Sequence, residues 1–304
     1  MTYLRRKADD FLKNWKLNTD RKPLIVKGPR QIGKTESIRK FGAENYKEVI
    51  EINFVEEPKY RLITENGYRT ADIIKNISRI DPSKKFAEGE TLLFFDELQA
   101  FPEIATALKF FCQDGRFDVI CSGSMPGINY NRIERNSIGY KEDYQMYSFD
   151  FEEFLWAKGY DDSFTEDMFA HMMELTPFHE GELALCQGLF LDFCILGGMP
   201  AVLREYVAKG TFEGSLGIQR QILADYEEDV RKYAGGPDQG EDVECVSADS
   251  GAACEGQQKI SDIEGSARCK IQGLQGLYRV ACGRGDGQCL LLYELSGTSA
   301  ERQC

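Results

Sequence analysis

Gly28-Pro29-Arg30-Gln31-Ile32-Gly33-Lys34-Thr35 fits the pattern G-x-x-x-x-G-K-[ST] at every fixed position. That spacing suits the binding of a nucleotide's phosphates. The glycines let the backbone curl until successive N–H groups point at one anion, and a helix starting there adds its positive end. Lys34 supplies an ammonium for the β- and γ-phosphates, and the Thr35 hydroxyl suits Mg²⁺. Candidate phosphate-loop residues are therefore Gly28, Pro29, Arg30, Gln31, Ile32, Gly33, Lys34, Thr35 and Glu36.

A second group is the acid pair in "TLLFFDEL". A carboxylate ending an apolar parallel strand lies at the crevice where α/β sheets bind ligands. Asp96 is the candidate metal residue beside Thr35, and Glu97 the candidate that polarises an attacking water. A third is "DVICSGS", where Ser122 or Ser124 would bring a hydroxyl to the γ-phosphate, with Ser124 the candidate carried forward. A fourth is "NYNRIERNS", in which Arg132 or Arg135 could meet the transferred phosphoryl group, Arg132 being carried forward, or could be a surface charge in a loop. His171 and His179, the only histidines, have no metal-like partners in sequence and receive no role.

These groups need a scaffold. "PLIV" reads as a short buried strand running into the loop, and "KTESIRKFGAE" as the helix leaving it, with Ile38 and Phe41 inward. "EVIEINF", "TLLFFDE" and "FDVICSGS" read as further strands, and "RTADIIKNISRI" and "EIATALKFFCQ" as helices. The near-continuous apolar run "TLLFFDE" marks a central parallel strand covered on both faces. Strands alternating with helices imply a parallel α/β sheet flanked by helices. Ahead of it, Leu4, Ala8, Phe11, Leu12 and Trp15 space an amphipathic helix over 3–17. From "FDFEEFLWAKG" to about Tyr233 the pattern is mostly helical, with a Gly-Gly-Met-Pro turn at 197–200. The expected division is an N-terminal helix over 1–20, the phosphate-loop domain over 21–155, a helical region over 156–234, and an atypical tail over 235–304.

Composition narrows the classes. The apolar share is 42% in 304 residues, enough for two domains with a sizeable core. No apolar run reaches the roughly 18 residues of a membrane span, and the N-terminus has no apolar signal core. A cytoplasmic protein without a membrane partner is expected. The net charge of -13 is uneven. Residues 1–50 carry 13 Lys and Arg against 6 acids, which suits a phosphate ligand, while 151–200 carry one Lys against 10 acids. That acidic remainder argues against broad DNA binding. Cys112, Cys121, Cys186 and Cys194 read as buried small residues, and no C-x-x-C pair suggests zinc.

"RKPLIVKGPRQIGKTESIRKFG", "TLLFFDELQAFPE", "VICSGS", "YSFDFEEFLWAKGY", "LGGMPAVL" and "ILADYEEDVRKYA" together resemble the prokaryotic AAA-superfamily ATPases in which a P-loop domain precedes a C-terminal domain of unknown function. The resemblance runs from residue 1 to about 234. It implies ATP and Mg²⁺, with the phosphate loop at Gly28–Thr35, the carboxylates at Asp96 and Glu97, and the sensor within Ser122–Ser124. An ATPase driving a conformational change on a partner is the reading Glu97 favours. A nucleotide-gated binding module with negligible hydrolysis is the alternative. A homo-oligomer is compatible with both. The resemblance names no substrate or partner.

It stops near Ala234, where composition breaks. All 19 Phe precede that point, whereas 12 of 29 Gly and six of 10 Cys follow it. A flexible Gly-rich tail is one explanation. A shifted reading frame is the other. One nucleotide forward, codons for "VECVSADSGAAC" admit "WNVFRQIPAQL", those for "EGQQKISDIEG" admit "KDNKKFQISKV", and those for "LYRVACGRGDG" admit "YIEWLVDAGM". In order, these are similar to the segment that follows in the family. On that reading the tail is poorly ordered, and the C-terminal domain that would meet a protein or nucleic-acid partner is missing.

Overall fold

The computed structural model describes residues 3–124 and 137–233. The chain divides into two compact units, Arg6–Tyr147 together with residues from Arg220, and Ser148–Gln219 together with residues up to Arg5.

The first unit is built on five parallel strands, β1 (Leu24–Lys27), β2 (Glu48–Asn53), β3 (Thr91–Asp96), β4 (Asp118–Gly123) and β5 (Glu142–Gln145), in the order β2-β3-β4-β1-β5. All residues of β1 and β3 are buried, as expected of mostly apolar strands covered on both faces. Leu93, Phe95, Val119 and Cys121 pack on one face with Ile73 and Ile77 of α3 (Thr70–Ile80) and Leu108 and Phe111 of α4 (Ala105–Asp114). Rings of Phe54 and Phe95 stack 5.8 Å apart there. Truncating Phe95 to alanine would cost about 3–5 kcal/mol, the scale of a lost core aromatic.

On β2 and β3, α2 (Lys34–Asn45) approaches closely at Gly42. A Cβ there would lie 2.9 Å from Val49 Cγ2 and 3.2 Å from Leu92 Cδ2. The helix α1 (Lys7–Leu17) packs with Trp15 edge-on to Phe41 at 6.2 Å and Phe11 stacked on Tyr144 at 4.0 Å. It begins four residues later than its apolar spacing suggests. Arg6 is extended, and its N–H is capped by the Asp9 carboxylate at 3.1 Å.

The strand β5 is absent from the sequence reading. Its residues, Glu-Asp-Tyr-Gln, are polar and partly exposed at the sheet edge, so they carry no apolar run. The cysteine expectation holds only for Cys121, which is buried, its thiol pushed up by that burial. Cys112, Cys186 and Cys194 are partly exposed, because each lies on a helix flank rather than a covered strand.

The second unit is helical, with α5 (Phe151–Ala157), α6 (Asp162–Glu174), α7 (Glu180–Leu196), α8 (Pro200–Lys209) and the start of α9 (Ser215–Tyr233). Asp150 and Glu153 cap α5 reciprocally, at 3.0 and 3.2 Å. The Phe154 ring packs on Phe193 and Tyr206, at 5.5 and 6.4 Å, which puts the aromatic-rich segment in the core. Gly198 cannot carry a side chain, since a Cβ would lie 2.1 Å from the Phe149 carbonyl. Phe169, Met172, Met173 and Leu175 are exposed in this unit, together with Leu185, Leu191 and Ile195 of α7. No helix among the described residues is long and apolar enough to cross a membrane.

Candidate functional site

The phosphate loop joins β1 to α2. Its first glycine has φ 155, and a Cβ there would lie 2.3 Å from the Met146 carbonyl oxygen. Gly33 has φ 93, and Gln31, although not a glycine, has φ 62. The curl that the motif demands is therefore held by left-handed backbone at two positions and by a close backbone approach at a third. The first turn of α2 leaves its N–H groups without intrahelical acceptors, which suits an anion.

Lys34 is buried. Its ammonium donates to the carbonyls of Gly28 at 3.0 Å and Pro29 at 2.5 Å. Burial pulls its pKa down to about 8, with Arg30 pulling the same way and Glu97 and Asp96 partly opposing.

Four donors surround Asp96, at the end of β3. Thr35 Oγ1 donates to Oδ2 at 3.2 Å and Asn53 Nδ2 to the same oxygen at 3.4 Å. The Glu97 N–H reaches Oδ1 at 3.0 Å, and the Ser122 hydroxyl donates there too. Strand register explains the meeting. Asn53 pairs with Asp96 across β2 and β3, and Lys27, the last residue before the loop, pairs with Gly123 at the end of β4.

Glu97 follows with φ 57, so the chain turns sharply and its carboxylate faces a different neighbour. Gln99 Nε2 donates to Glu97 Oε2 and, at 3.0 Å, to Ser124 Oγ. The two serines thus differ, with Ser122 engaged by Asp96 and Ser124 lying just past the strand. Arg132 and Arg135 lie outside the described residues, as does the tail after residue 234.

Three residues near the loop carried no assigned role in the sequence. Asn53 and Gln99 touch the acid pair as above. Arg6 is buried, donating to the Ile32 carbonyl at 2.8 Å and the Tyr147 carbonyl at 2.7 Å. This guanidinium braces loop backbone. Farther along, Tyr226 of α9 donates to the Arg30 carbonyl at 2.7 Å, and Gln31 donates to Asp225 at 3.1 Å.

The donor set fits the groups the loop implies. A hydroxyl and a carboxylate 3.2 Å apart are hard oxygen ligands, the kind Mg²⁺ takes alongside phosphate oxygens and water. Among the described residues no three His, Cys, Asp or Glu side chains converge as a protein-only metal cage. Thr35 and Asp96 would hold the ion, and when bound it would neutralise charge on the β- and γ-phosphates.

The family model for an AAA domain, AAA_14, matches residues 20–155, the span that contains this loop and acid pair. Residues 20–155 are an AAA domain. Its fold is that of a P-loop NTPase, a parallel five-stranded sheet flanked by helices and followed by a helical region. Three solved mutant forms of Thermotoga maritima RuvB are similar to the chain, at 13%, 14% and 11% identity. Their TM-scores are 0.34, 0.32 and 0.33, covering 52%, 50% and 51% of this chain. The chain spans about half the length of these structures, at 52%, 49% and 51%. No curated protein matches it.

Proposed function

We propose that the AAA domain binds ATP with Mg²⁺ and hydrolyses it. The observation that carries this reading is the meeting of Lys34, Thr35, Asp96 and Glu97 at the carboxyl ends of β1 and β3. Lys34 leaves the loop carbonyls to meet the β- and γ-phosphates. Thr35 and Asp96 orient the metal. Glu97 takes a proton from water as its oxygen attacks the γ-phosphorus, and the bond to the bridging oxygen breaks to release ADP and phosphate.

Coupling to conformation finds support in α9. Asp225 and Tyr226 bond the loop at Gln31 and Arg30, so a loop that rearranges around phosphate must alter those bonds. The exposed apolar residues of α6 and α7 support a protein partner. A nucleotide-gated switch with negligible turnover is the second reading, and the bonds of Asp225 and Tyr226 to the loop, which need only binding to change, are compatible with it. Phosphate release separates the two. The parent is expected to turn over ATP, and Glu97→Gln to retain binding while losing about a hundredfold in rate. A parent that binds ATP and releases no phosphate would establish the switch.

A further inference from the structure

We propose that Gln99 is a positioning residue that ties Glu97 to Ser124, so that the water-polarising carboxylate is aimed by the residue beside the γ-phosphate. The inference rests on the hydrolytic reading above. Gln99 lies in the short 3₁₀ turn Leu98–Ala100 that follows the acid pair. Its Nε2 donates to Glu97 Oε2 and to Ser124 Oγ at 3.0 Å. The orientation of the carboxamide is fixed by chemistry. An ionised carboxylate only accepts, so the nitrogen must face Glu97.

The oxygen then points the other way, and that position is a cost. Gln99 Oε1 is buried with no hydrogen-bond partner. An orphaned acceptor destabilises a fold, so stability alone does not account for a glutamine here. The neighbouring strand also makes room for it. A Cβ on Gly123 would lie 3.0 Å from that oxygen, closer than a Cβ ordinarily sits. Gly123 shows no left-handed φ that would itself demand glycine. The gap at the end of β4 thus accommodates the Gln99 carboxamide between the candidate base and the candidate sensor.

A role through Glu97 makes specific demands. Gln99→Met keeps the volume, removes the orphaned oxygen and removes the donor. It should leave the melting temperature unchanged or higher, leave ATP affinity unchanged, and lower kcat by about tenfold. In a Glu97→Gln background the same substitution should have no further effect on kcat, because the carboxylate it aims is gone. Gly123→Ala, which presses on the carboxamide from the other side, should lower kcat in the same direction and covers the case in which Gln99→Met fails to fold. Steady-state phosphate release, ATP titration and thermal melting of the full chain read all of this. A parent that hydrolyses ATP while Gln99→Met or Gly123→Ala keeps full kcat overturns the inference alone. Equal losses from Gln99→Met with and without Glu97 also overturn it. A parent that hydrolyses no ATP overturns it together with the hydrolytic reading.

Discussion

The ammonium of Lys34 donates to the Gly28 carbonyl at 3.0 Å, six residues back along the same loop. The lysine thus folds onto backbone that, on the proposed reading, it would leave for a phosphate. Its pKa, drawn down to about 8 by burial, makes this exchange pH-dependent. A phosphate restores the charged form, so binding takes up a proton once the free lysine has begun to lose its own. ATP affinity should be flat well below pH 8 and weaken above it by up to about tenfold per unit. The effect on stability has the opposite sign. A buried ammonium costs stability below about pH 8, and the cost is relieved toward the unfolded value of 10.5. Calorimetry in buffers of differing ionisation enthalpy reads the proton uptake. Equal affinity on both sides of pH 8 would contradict it.

Asp96 accepts from Thr35, an arrangement in which the two would share one ion. Asp96→Asn keeps the shape and removes the charge. The variant should need a higher Mg²⁺ concentration for half-maximal ATP binding, by about tenfold, with little change in metal-free nucleotide affinity. The magnitude corresponds to about 1.4 kcal/mol of metal contact. Titrating Mg²⁺ at fixed ATP checks it, and an unshifted midpoint would remove Asp96 from the metal site.

Arg6 should matter to the loop without touching a nucleotide. Replacing it with methionine leaves the Ile32 and Tyr147 carbonyls without their charged donor. The expected cost is about 2–3 kcal/mol of stability, the upper range for hydrogen bonds to a charged group. ATP affinity should also fall, because the loop loses a brace. Urea denaturation with ATP titration tests both, and a variant as stable as the parent would make the brace incidental.

The phosphate loop was legible because its chemistry fixes residue type and spacing together. Gly28, with φ 155 against the Met146 carbonyl, can be little else. Asp96 was legible because four apolar residues, Leu92 to Phe95, precede it on a strand covered on both faces. Arg6, Asn53 and Gln99 were not, since their roles come from neighbours 26, 43 and 25 residues away that only the fold brings close. The edge strand β5 escaped for a different reason. Backbone pairing with β1 specifies it, and its polar side chains leave no period to read.

The composition break at Ala234 makes a prediction about the gene. The plus-one frame after codon 234 is expected to stay open and to encode the Ile-Pro-x-Gln-Leu and Glu-Trp-Leu blocks in order. The nucleotide sequence decides it. Early stops in that frame, or the absence of those blocks, would remove the shifted-frame explanation and leave the Gly-rich tail.

The central claim is that Gly28–Thr35 holds the phosphates of ATP, with Lys34 as its cation. The most direct measurement is calorimetric titration of MgATP into the parent and into Lys34→Ala, at a pH well below 8 where the parent lysine is charged. The account predicts an affinity at least tenfold weaker in the variant, about 1.4 kcal/mol or more. Equal affinity in the two proteins, or no binding by the parent, would contradict it.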